Sequence, residues 1–96
     1  MYVDYKRPKY PNRLKVIRQN AGFTQRNVAA FLGQPDAVSL SHWENEKTMP
    51  TGTNLIRLCI LYGVTPRELY LEYYEMVERD FPNNQRNGSD GNRTIK

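Results

Sequence analysis

Residues 24–46 read TQRNVAAFLGQPDAVSLSHWENE, and the spacing of their apolar side chains decides how the rest of the chain is read. Thr24 carries a hydroxyl that can accept from a free backbone N–H at a helix start. Val28, Ala29, Phe31 and Leu32 recur at helical spacing and make one apolar face. Gly33 ends that helix, because glycine enters the left-handed region without steric cost. Pro35 blocks its continuation, and Asp36 can cap a new start. In a second helix over about residues 36–45, Ala37, Leu40 and Trp43 fall at i, i+3 and i+6 on one face. The remaining side chains, Val38, Ser39, Ser41, His42 and Asn45, are short, mostly polar and uncharged. A face of that kind is either plain surface or one that meets the edges of bases.

Around this pair the chain supplies three more helices. The first is expected over residues 12–20, capped by Asn12, with Leu14 and Ile17 inward. Ala21-Gly22 ends it, and Phe23 is a core plug ahead of Thr24. Residues 47–52, KTMPTG, form a loop whose Met49 tucks under the domain. In the fourth helix, residues 53–62, Leu55, Leu58, Cys59 and Tyr62 mark one face, and Ile56, Ile60 and Leu61 widen it. Apolar nearly all round, this helix is expected to be central and buried. Gly63 stops it. Thr65-Pro66-Arg67-Glu68 then combines a cap, a proline at the first helical position and a glutamate three after the cap. The fifth helix is expected over residues 66–79, with Leu69, Tyr73 and Met76 as its stripe and Tyr70 and Val77 beside them. Residues 1–11 read as a basic extended arm and residues 82–96 as a disordered polar tail, which leaves residues 12–81 as one domain. The fold class is all-α, a compact five-helix domain.

The balance of charge narrows the function. The chain of 96 residues has a net charge of +4, unevenly spread. Residues 1–33 carry seven Lys and Arg against one acid, whereas residues 66–81 carry two against five. One end is positive and the other negative, as expected where one face meets an acidic polymer. Cys59 is the only cysteine, so an internal disulfide is ruled out and Cys59 reads as a small core residue. No apolar run approaches the ~20 residues needed to cross a bilayer, and the amino-terminal stretch lacks the apolar core of a signal peptide. A cytoplasmic protein is expected. A nucleophile with a base, a metal cluster and a phosphate-cradling glycine loop are all missing at workable spacing, so no enzyme, cofactor, metal or small-molecule ligand is expected. His42 is the only histidine.

In order along the chain stand Leu14-x-x-Ile17-Arg18, Gly22-Phe23-Thr24-Gln25, Val28-Ala29-x-x-Leu32-Gly33, Leu40-Ser41-x-Trp43-Glu44-Asn45, Pro50, Leu55-x-x-Leu58 and Leu61-x-Gly63-Val64-Thr65-Pro66-x-Glu68-Leu69. With these residues the chain resembles the lambda repressor-like helix-turn-helix family of phage repressors and Xre-type bacterial transcription regulators, over about residues 13–71. One departure sits in the turn. Gly33 to Leu40 is seven positions where the family pattern has six, so one residue, most simply Gln34, is extra. The family's aliphatic plug after the glycine would here be filled by Pro35.

The resemblance implies a transcription regulator that binds double-stranded DNA, with its recognition helix over about residues 36–45. It implies that Gln25 meets a phosphate and that Arg18 and Glu44 bridge the first and third helices. From the residues themselves, Gln34, Ala37, Val38, Ser39, Ser41 and His42 are candidates for base contact. Arg13, Lys15, Thr24, Gln25, Arg26, Asn45 and Lys47 are candidates for phosphate contact. Tyr70, Tyr73, Tyr74, Met76 and Val77 are interface candidates on the fifth helix, for a homodimer or a partner protein. The alternative reading is an antitoxin-like interaction module that binds a partner through that helix, with weak DNA binding or none.

Overall fold

The computed structural model describes residues 9–81, and among these residues the chain is all-helical. Of the basic arm only residues 9–11 fall within the described part, and the tail expected over residues 82–96 lies outside it. The elements run α1 (Leu14–Asn20), α2 (Gln25–Phe31), α3 (Val38–Glu44), α4 (Gly52–Tyr62), α5 (Pro66–Leu69) and α6 (Leu71–Asp80). No described helix is long and apolar enough to cross a membrane.

Local chemistry sets most of the boundaries. At the start of α2 the Thr24 hydroxyl accepts from the Asn27 N–H at 3.0 Å, and the Asn27 side chain accepts from the Thr24 N–H at 3.0 Å. This reciprocal pair occupies two donors that a helix start otherwise leaves open. Thr65 and Glu68 repeat the device at the start of α5. Asn12 acts one residue further out than expected. Its Oδ1 accepts from the Leu14 N–H, so α1 begins at Leu14.

The core gathers one or two residues from each of α1 to α5. Leu14, Val28, Leu40, Leu58 and Leu69 are fully buried, joined by Leu32, Trp43 and Tyr70. Each full burial of such an aliphatic side chain contributes about 1.5–3 kcal/mol against leaving it in water. Cys59 and Met49 are partly buried against this cluster.

Three expectations are corrected. The fifth helix is two helices, because Tyr70 takes φ −126° and ψ 43° and breaks the run between α5 and α6. Neighbouring residues on a helix point about 100° apart. Burying both Leu69 and Tyr70 turns the chain out of line there. The fourth helix is not buried all round: Leu58 is its one buried residue, while Ile56 and Ile60 stand 59% and 75% exposed. No described element covers that outer side. Pro35 does not plug the core either. It is exposed.

Candidate nucleic-acid interface

The turn between α2 and α3 is closed by backbone bonds. Gly33, in the left-handed region at φ 71°, lets the chain fold back, and the Gln34 N–H reaches the Ala29 carbonyl at 2.9 Å. The extra residue of the turn is taken up over residues 35–37, so α3 starts at Val38 rather than near 36. The Asp36 carboxylate accepts from the Val38 N–H at 2.9 Å and caps the new helix.

From there, spacing divides α3 into two faces. Leu40, Trp43 and Glu44 are buried. Val38, Ser41, His42 and Asn45 recur at i, i+3, i+4 and i+7 on the opposite side. On it Val38, His42 and Asn45 are exposed and Ser41 is half-buried. Ser39 lies at the edge of this face, half-buried. Ala37 is the half-buried residue before the helix, and Gln34 sits in the turn. The Asn45 amide donates to the Ser41 hydroxyl at 3.2 Å. Lys47 is exposed just past the helix, after Glu46, which adopts a positive φ of 66°.

A buried ion pair joins α1 to α3. Arg18 Nε donates to Glu44 Oε2 at 2.6 Å, and Nη2 donates to Oε1 at 3.1 Å. Arg18 Nη1 also donates to the Phe23 carbonyl at 2.8 Å. The Glu44 side chain is 2% exposed and that of Arg18 9%. Hydrogen bonding to Glu44 holds Arg18 above its ordinary value, against burial acting the other way. Gln25 joins this centre, its Nε2 donating to Glu44 Oε1 at 2.9 Å. One carboxylate therefore links α1, the start of α2 and the end of α3. Sequence reasoning missed the Gln25 bond, because two residues 19 apart on different helices share no local signal. Beside the pair, burial and then the charge of Glu44 push the Tyr62 hydroxyl up to about 12. A second tie comes from Asn12, whose amide donates to the Trp43 carbonyl at 2.8 Å.

The phosphate candidates do not all gather. Lys15, Arg26 and Lys47 are exposed and form no ion pair among the described residues. Arg13 is instead paired with Glu72 of α6, and this bond raises Arg13 and lowers Glu72 from their ordinary values. The Thr24 hydroxyl is committed to its cap. Of the interface candidates, Tyr70 is corrected: at 4% exposure it belongs to the core and offers no surface. Tyr73 is half-buried, its ring edge-on to Tyr10 at 5.3 Å between centroids. Met76 is half-buried, and Tyr74 and Val77 are exposed. Phe81, just past α6, is exposed beside them.

Two helices joined by a tight turn, the second locked by its inner face and showing an uncharged outer one, form a recognised unit. A family model described as helix-turn-helix matches residues 14–69, more than half of the chain. The chain belongs to the Xre/lambda repressor-like helix-turn-helix family. No curated protein and no solved structure matches it. Membership makes it a DNA-binding helix-turn-helix protein of the transcription-regulating kind. Within the helix-turn-helix unit, α2 and α3 are the two named helices, and α1, α4 and α5 supply the core beneath them.

Proposed function

We propose that this protein is a sequence-specific transcriptional regulator that lays α3 in the major groove of double-stranded DNA. The observation that carries the reading is the division of α3. Its inner face is held by Leu40, Trp43 and the Arg18–Glu44 pair, and its outer face presents Val38, Ser41, His42 and Asn45 without a charge. Ser41 and His42 can bond to base edges, with Ser39, Ala37 and Gln34 at the margins. Lys15, Arg26 and Lys47 supply phosphate charge, with Thr24, Gln25 and Asn45 nearby in sequence. Arg13 joins them only by leaving Glu72.

The protein binds as a homodimer through α6. Tyr74, Val77 and Phe81 form an exposed apolar stripe, with Arg67 stacked over Tyr74. An apolar stripe of this kind can meet a copy of itself across a two-fold axis, as an isologous interface requires. Selection of bound sequences from a random duplex pool tests both parts. An enriched palindrome is the expected result. An enriched single half-site overturns the dimer, and no enrichment overturns sequence-specific binding in favour of an interaction module acting through α6.

A further inference from the structure

Three features at the start of α3 bear on which bases it reads. Residues 34–46 contain no Arg or Lys, the side chains that take guanine O6 and N7 in paired fashion. The exposed Asp36 carboxylate stands at the Val38 N–H, 2.9 Å away, and sets a negative charge there. That charge opposes the two acceptors of guanine. Next to it Val38 is 54% exposed, the one large apolar side chain on the outward face of α3. Further along, Ser41 and Asn45 already bond to each other. The end of α3 nearest the turn is thus an apolar knob beside a carboxylate. Among the base edges of the major groove the one apolar group is the C5 methyl of thymine.

We propose that Val38 is a specificity-determining residue that selects thymine by packing against its C5 methyl. The proposal rests on the DNA-binding reading and deepens it to a class of target. Burying one methyl group carries a factor of about fourfold in affinity. The test begins with the sequence enriched from random duplexes. Each thymine of that sequence is replaced in turn by uracil, which removes the methyl and leaves the pairing edge unchanged. Binding is measured for the native chain and for Val38→Ala. One position is expected at which uracil weakens the native chain by about fourfold, the two bases becoming equal for Val38→Ala. Equal binding at every position overturns the proposal and leaves the DNA-binding reading standing. Continued discrimination of the two bases by Val38→Ala overturns it in the same way. Absence of any enriched sequence overturns both.

Discussion

At the scale of single residues, Glu44 is the side chain with most depending on it. Removing it leaves Arg18 buried without its counter-charge, and Gln25 without its acceptor. Breaking such a buried pair costs about 3–5 kcal/mol. Glu44→Ala should lose about that much in urea unfolding, and DNA affinity should fall with it. Glu44→Gln keeps the shape and one acceptor oxygen, so a smaller loss is expected. Tyr70 offers the opposite case. Its hydroxyl is buried, and no described protein group bonds to it. Tyr70→Phe keeps the ring and should raise stability by about 1 kcal/mol, read in the same unfolding assay. Tyr62 and Tyr70, both raised by burial, contribute to the alkaline limit. The folded-state value of Tyr62, about 12, lies above the ordinary 10, so folding favours the neutral phenol. That contribution is complete below the ordinary value and is lost as pH rises through the folded one. Thermal melts should therefore drop over this window, and Tyr62→Phe should lessen the drop, the part due to Tyr70 remaining.

At the scale of elements, caps and stops explain where the short helices begin and end. Gly33→Ala meets no neighbouring atom, so its cost is the left-handed backbone alone, about 1–2 kcal/mol. Thr24→Ala removes the cap and should cost about 1 kcal/mol. Circular dichroism melts of the two variants check both values. These signals were legible because each acts within four residues. The break at Tyr70 was not, since the apolar spacing of residues 66–79 runs on without interruption and the turn is imposed by burial. The outer side of α4 misled for a different reason. Ile56 and Ile60 show which groups water disfavours, but not which of the described elements pack over them. The outward face of α3 could be read from its period. The bond between Gln25 and Glu44 needed the fold first.

At the scale of the whole molecule, charge governs association. Residues 1–33 carry seven Lys and Arg against one acid, and α6 is acidic. If each subunit neutralises about five phosphates, log K should fall against log salt with a slope near −0.9 for each. Fluorescence anisotropy across a salt series measures that slope. A flat line would remove phosphate contact as the source of affinity.

The hold of Arg13 on the far end of the domain bears on how the protein is made. The Arg13 N–H donates to the Leu69 carbonyl at 2.8 Å, its side chain grips Glu72, and Tyr10 rests on Tyr73. These contacts just ahead of α1 thus depend on residues some sixty positions downstream. In the order of synthesis, α3 and the Arg18–Glu44 pair come well before that clasp. The contacts of Arg13 and Tyr10 with Leu69, Glu72 and Tyr73 can form only once α5 and the first turn of α6 have been made.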